Sequence, residues 1–196
     1  DFAPGEEYRY NNSGYYLLGM IIEEVSGESY DDYLDAHLFG PLGLSRSSYC
    51  HEAQIIPGRA EGYEQGGDGL LNDGSISMNT PGAAGALCST VPDLLSWTMA
   101  LRSGRVVSEA SYQAMTTSGQ LNNGSATGYG FALGVDALEE HSRVAHTGGI
   151  NGFSTVMAHY PESDLDIVVL SNTSSGVPGK IERRIARWAL GLAVAN

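Results

Sequence analysis

FSTVMAHYPESDLDIVVLSN, residues 153–172, carries two runs of β-branched, aromatic and small residues on either side of PESD. Both runs suit a pleated, half-buried surface, and the polar Pro-containing tetrapeptide suits a tight connection. The stretch therefore predicts an antiparallel hairpin. Downstream, Ile181, Ile185, Trp188, Ala189 and Leu192 recur at helical intervals within Lys180–Val194. That spacing predicts a final helix laid with this stripe on one sheet face. Upstream, SRVAHTG (Ser142–Gly148) and YGFALGV (Tyr129–Val135) predict two further strands.

Nearer the N-terminus the period changes from two to 3.6. Tyr15, Leu18, Ile22 and Val25 predict a buried helical stripe, started by Asn12 or Ser13 as cap and stopped by Gly27. Ser29 caps a second helix, with Asp32 placed as in a capping box and Tyr30, Tyr33, Leu34, His37 and Leu38 on its inner face. A third helix runs from the Thr90 cap, with Pro92 in its first turn, to Gly104, and buries Leu94, Leu95, Trp97, Thr98 and Leu101. A short fourth helix starts at Ser108. Between the second and third helices, residues 45–85 are Gly-rich and read as irregular; a stretch that long usually covers or forms a site. The expected fold is α/β in the α+β sense. It has a mainly helical lobe over residues 1–125, then antiparallel strands covered by a C-terminal helix over 126–196.

Composition narrows the chemistry. The chain has 196 residues and a formal net charge of −13, which excludes nucleic acid and anionic membrane surfaces as natural partners. An anionic ligand would need a local cation, yet Lys180 is the one lysine among ten basic residues. The opening residues, DFAPGEE, show neither the basic nor the apolar part of a secretion leader, so none is expected here. No apolar run approaches the ~20 residues of a membrane span. Cys50 and Cys88 fit no zinc spacing; they can form one disulfide or stay as two buried thiols, and we expect thiols. The five histidines show no metal-ligand clustering, and no cofactor motif is present.

Three features could carry chemistry: Tyr10-Asn11-Asn12 before the first helix, His146-Thr147-Gly148-Gly149 at the end of a strand, and PGAAGALCST (Pro81–Thr90) leading into a helix cap. Each has an ordinary structural reading. Tyr10 can anchor a loop, Asn12 can cap a helix, His146 can be a satisfied strand residue, and the small residues can permit close packing.

Together and in this order they resemble the serine β-lactamase, D,D-peptidase and esterase superfamily, closest to its class C β-lactamase and D-alanyl-D-alanine carboxypeptidase branch. Tyr10-x-Asn12 with the helix after it is similar to the family's second motif, AGALCSTVPDLLSW (Ala84–Trp97) to a later helix, and His146-Thr147-Gly148 to the third motif. The resemblance implies a serine attacking an acyl carbon to form an acyl-enzyme. It implies that Tyr10 moves protons, Asn12 hydrogen-bonds a substrate amide, and His146 supplies a donor or a positive charge beside Tyr10. It also implies that Thr147 holds a substrate carboxylate, that Gly148 keeps the strand edge clear, and that the Gly149 N–H forms half of an oxyanion hole.

The family's Ser-x-x-Lys nucleophile motif is absent, since Val177 stands three residues before Lys180, and there is no G-x-S-x-G elbow. Ser13, Ser89 and Ser154 are the weaker candidate nucleophiles. The resemblance thus implies the C-terminal portion of an extracytoplasmic hydrolase of β-lactams, D-Ala peptides or esters, incomplete at its N-terminus. Its expected partners are a small acyl substrate or peptidoglycan-like peptide, and either a complementing N-terminal segment or another copy through domain swapping. Two alternatives are a noncatalytic module binding peptidoglycan or acyl ligands, and an assembly fragment that needs a partner chain.

Overall fold

The computed structural model describes residues 2–194. Asn11 is in extended backbone, and its side-chain oxygen accepts from the Ser13 N–H at 2.7 Å, so α1 spans Asn12–Ser26. The cap is Asn11 rather than Asn12 or Ser13, because Asn12 already lies in the first turn. Gly27 ends α1 at φ 75°, a left-handed conformation that costs glycine little. Ser29 caps α2 (Tyr30–Leu34) by accepting from the Asp32 N–H and donating to the Asp32 carboxylate. The chain widens into a π turn (Asp35–Phe39) and closes as α3 (Gly40–Leu42). Leu34 is buried, but His37 is exposed beside Glu28 at 3.2 Å, so it does not belong to the inner face.

The stretch 45–85 is more ordered than its composition suggests. It holds β1 (Ser48–Tyr49), a hairpin of β2 (Tyr63–Gly66) and β3 (Gly69–Asn72), and a 3-10 turn at Gly82–Ala84. After it, β4 (Leu87–Cys88) returns antiparallel to β1, with Ser48 opposite Cys88. That pairing sets the Cys50 and Cys88 Cα atoms 5.3 Å apart, and the two are disulfide-bonded. The expectation of two buried thiols is therefore corrected: a strand pairing invisible in the local sequence brings them together. The small residues of Pro81–Ala86 serve close packing. A Cβ on Gly19 of α1 would lie 2.4 Å from the Cβ of Ala83, and one on Gly82 would lie 2.6 Å from the Tyr16 ring.

Thr90 caps α4 (Val91–Arg102), which buries Ala100 and Leu101 and half-buries Leu94, Leu95, Trp97 and Thr98. Ser108 caps α5 (Glu109–Met115). The sheet follows as β5 (Gly134–Leu138), β6 (His141–Ile150), β7 (Phe153–Tyr160) and β8 (Leu165–Ser171), antiparallel and in that spatial order. The expected strand Tyr129–Val135 is displaced toward the C-terminus. Positive φ at Gly128 and Ala132 breaks the extension, leaving Tyr129 a single bridge to Gly134.

The helix α6 (Pro178–Ala189) packs on β7 and β8, around a core of Leu138, Ala145, Ala158, Tyr160, Ile167 and Ala186. Its orientation departs from the sequence expectation, although Leu192, beyond the helix end at Ala189, does pack against this core. The face turned inward is Pro178, Glu182 and Ala186, while Ile181, Ile185 and Trp188 are exposed, Trp188 to 77%. The physical reason is Glu182. Its fully buried carboxylate accepts from Arg143 Nε at 3.2 Å, Arg143 Nη2 at 2.9 Å and the Tyr160 hydroxyl at 2.6 Å. A charge with these partners fixes the rotation of the helix, because turning it would strand a buried ion. Of the stripe expected on α1, Tyr15 and Ile22 are half-buried but Leu18 and Val25 are exposed, Val25 to 81%; Gly19 is the fully buried residue, and Leu17, Met20 and Ile21 are exposed as well. Two apolar faces thus stand open among the described residues, one on α1 and one on α6.

Candidate active site

Strand β6 outruns its neighbour. Pairing with β5 ends at Gly134 opposite Ala145, and from His146 to Ile150 β6 pairs with β7 alone. Thr147, Gly148 and Gly149 are exposed along this open edge. A Cβ on Gly148 would sit 2.4 Å from Thr155 Oγ1, so any larger residue there would have to displace that side chain. An open edge of small residues can take an extended peptide-like ligand as an added strand.

Opposite the start of this edge, Tyr8 and Tyr10 precede the Asn11 cap. Tyr129 folds back between them and β6, held by hydrogen bonds from Phe131 N–H to Met115 O and from Gly130 N–H to Leu133 O. The Tyr10 and His146 ring centroids are 6.1 Å apart. Tyr129 stacks on Tyr8 at 5.4 Å, meets Tyr10 edge-on at 6.0 Å, and places its hydroxyl 3.1 Å from His146 Nε2. These rings, with Arg143 and Thr147, line an open cleft of about 240 Å³.

The structure therefore gathers Tyr10, His146 and Thr147 around one cleft. Asn12 is exposed in the first turn of α1 and does not line the cleft wall, and Gly148 and Gly149 continue along the edge beyond it. None of the three weaker serine candidates lines it either. Ser154 donates to Thr173 O, Ser89 pairs with Ser47, and Ser13 lies exposed in α1. Three wall side chains escaped the sequence reading: Tyr8, Tyr129 and Arg143. Tyr8 shares the period-two alternation of Tyr10 and could have been found that way; Tyr129 arrives by a loop with no local signal.

Electrostatics in the cleft favour neutral groups. Burial lowers the His146 imidazole from its ordinary value, partly opposed by a hydrogen bond with the Thr147 backbone. Burial pushes the Tyr129 phenol up, reinforced by Tyr15, Tyr10 and Tyr8 around it. Arg143 brings the one formal positive charge, and Glu182 and Asp136 engage it fully, through Nε and Nη2 on one side and Nη1 on the other. Among the described residues no cluster of three or more His, Cys, Asp or Glu is placed to hold a metal ion.

The far end of the edge is fixed by the long loop. A Cβ on Gly152 (φ 75°) would lie 2.4 Å from the Gly62 Cα, so the β6–β7 turn and the loop touch backbone to backbone. Asn151 Nδ2 donates to Gly74 O, and the Ser174 hydroxyl donates to Asp73.

Comparison with known proteins places the fold and the family. The family model described as Beta-lactamase matches residues 1–192. The chain is 29% identical to Penicillin-binding protein 4* of Bacillus subtilis, covering 87% of this chain and 41% of that protein. It is 25% identical to a D-aminopeptidase of Gluconobacter oxydans, covering 89% of this chain and 33% of the relative. The octameric penicillin-binding protein homologue of Pyrococcus abyssi superimposes with a TM-score of 0.83 at 30% identity, covering 98% of this chain and 44% of that one. The chain thus spans less than half the length of each.

Proposed function

Because the chain belongs to the beta-lactamase family of serine hydrolases, we propose that it forms the Tyr10–His146 side of an acyl-hydrolase site whose nucleophile lies outside these 196 residues. One observation carries the reading: a phenol and an imidazole separated by more than a hundred residues face each other at 6.1 Å across one cleft, at the start of an open strand edge. In this reading the edge from His146 to Gly149 holds the acyl chain of a β-lactam, a D-Ala peptide, a D-aminoacyl amide or a small ester. Tyr10 relays protons between the nucleophile and the leaving group. Asn12 lies outside the cleft wall, and the role toward a substrate amide that the resemblance implies for it rests on motif order alone. The Gly149 N–H takes part of the charge that develops on the carbonyl oxygen.

The exposed apolar residues on α1 and α6 support the incompleteness of the site, since apolar helix faces left open in this way mark interfaces. We assign them to the segment that carries the nucleophile, or to further copies of the chain when that segment is absent. The octameric state described for the Pyrococcus abyssi homologue supports self-association of this fold. The Cys50–Cys88 disulfide supports an oxidising, extracytoplasmic compartment.

The test is covalent labelling with a fluorescent penicillin and a fluorophosphonate. The 196-residue chain alone is expected to label weakly, and a separately supplied Ser-x-x-Lys segment from a full-length relative to raise labelling. Strong labelling of this chain by itself overturns the reading. On size exclusion the chain is expected to elute as an oligomer, and a stable monomer counts against the interface assignment.

A further inference from the structure

We propose that Tyr129 is a positioning residue: its O–H donates to His146 Nε2 and holds the imidazole as the neutral Nδ1–H tautomer, so that the cleft takes acyl ligands with no carboxylate beside the scissile bond. The tautomer assignment stands on geometry alone; the ligand class rests on the acyl-hydrolase reading.

The Tyr129 hydroxyl and His146 Nε2 are 3.1 Å apart, so one of them donates. An imidazole nitrogen is a far stronger base than a phenol oxygen, which directs the phenol proton to Nε2. Nε2 then meets a donor, which leaves Nδ1 to carry the ring proton of the neutral imidazole. The stacking of Tyr129 on Tyr8 at 5.4 Å keeps the hydroxyl in place.

The ligand consequence follows from the remaining walls. Tyr8, Tyr10 and Thr147 bring hydroxyls, and Arg143 brings a guanidinium already committed to Glu182 and Asp136. A carboxylate entering this cleft would leave water, meet no uncommitted cation among the described residues, and do so against a net charge of −13. An ester or amide enters without that cost and keeps Thr147 and the strand edge as hydrogen-bonding partners. The third-motif position expected to bind a carboxylate therefore works here on neutral carbonyl and amide groups.

Long-range 1H–15N correlation of the histidine rings of this chain reads the tautomer directly. The expected result is a proton on Nδ1 and a bare Nε2 at His146; a proton on Nε2 overturns the assignment without any variant. Tyr129→Phe keeps the ring and removes the donor. It is expected to mix the tautomers and to raise the His146 titration midpoint; an unchanged tautomer and midpoint also overturn the proposal. For the ligand class, N-acetyl-D-alanine methyl ester and N-acetyl-D-alaninate are titrated while the His146 and Thr147 signals are followed. The ester is expected to bind at least about tenfold more tightly, the scale of one uncompensated charge. Equal or tighter binding of the carboxylate overturns the ligand class and leaves the hydrolase reading intact. If neither probe shifts those signals, the ligand class and the acyl-site reading of this cleft both fall, whereas the tautomer result is unaffected.

Discussion

β7 and α1 are both apolar, yet only one of them is packed. In β7, Val156, Ala158 and Tyr160 are almost wholly shielded, and the strand is paired on both sides. In α1 only Gly19 is buried, and the helix is held by the Asn11 cap and a backbone-close contact with the Gly82–Ala84 turn. The two walls of the cleft inherit this difference. His146 and Thr147 stand on a strand locked to β7 and, through Arg143, to the buried Glu182; Tyr10 stands at the entry to the helix with the open face. The lesson is that the site has one rigid wall and one wall whose support is incomplete within the described residues.

Mutations can break or sharpen that contrast. Glu182→Ala strikes the rigid side by leaving the Arg143 guanidinium buried beside a void, and is expected to cost about 3–5 kcal/mol in denaturant unfolding. An unchanged midpoint would abolish the distinction between the walls. Removing the Cys50–Cys88 bridge, with reductant or as Cys50→Ser/Cys88→Ser, frees a loop of sequence separation 38 and is expected to cost about 2–4 kcal/mol. If the loop is as well held by its ties to Asn151 and Ser174 alone, the loss will be much smaller. Gly148→Ala is expected to cost about 1–3 kcal/mol through overpacking against Thr155. Thr155→Ala should restore part of it, and a double-mutant cycle measures how much.

On the loose side, Val25→Ser is expected to change stability by no more than about 0.5 kcal/mol while shifting size exclusion toward smaller species. A large loss of stability would mean that α1 is better supported than its exposure shows. The gentlest probe is pH. Burial holds His146 below its ordinary value of 6.5, so the folded state binds fewer protons than the unfolded state just below that pH. Its contribution to stability is present above about 6.5 and is lost as pH falls through the folded-state value. Replacing His146 by Gln should flatten that part of the stability–pH curve.

The hairpin around PESD was legible because β-branched and small residues alternate on both sides of a turn, and the Ser29, Thr90 and Ser108 caps because each side chain acts on its own helix. The rotation of α6 was not legible. Its apolar stripe argued for Ile181 and Trp188 inside, and only partners on two other strands make Glu182 the buried residue. The disulfide was hidden for the same reason: a two-residue strand pairing brings its ends together. At the site, Tyr10 and His146 could be paired through motif order, whereas Tyr129 could not. Its place depends on positive φ at Gly128 and Ala132, which turns an apparently strand-like segment into a loop.

The unpaired reach of β6 has a consequence for discrimination. Main-chain hydrogen bonds respond to extension and direction, not to what each residue carries. Side chains surround only the beginning of that reach, at the Tyr8–Tyr10–Tyr129 cluster, while its other end runs into glycine backbone at Gly149 and Gly152. On the proposed reading, a ligand laid along it would be read chemically at one end and felt merely as a ribbon along the rest, which would concentrate selectivity in the first residue or two it presents.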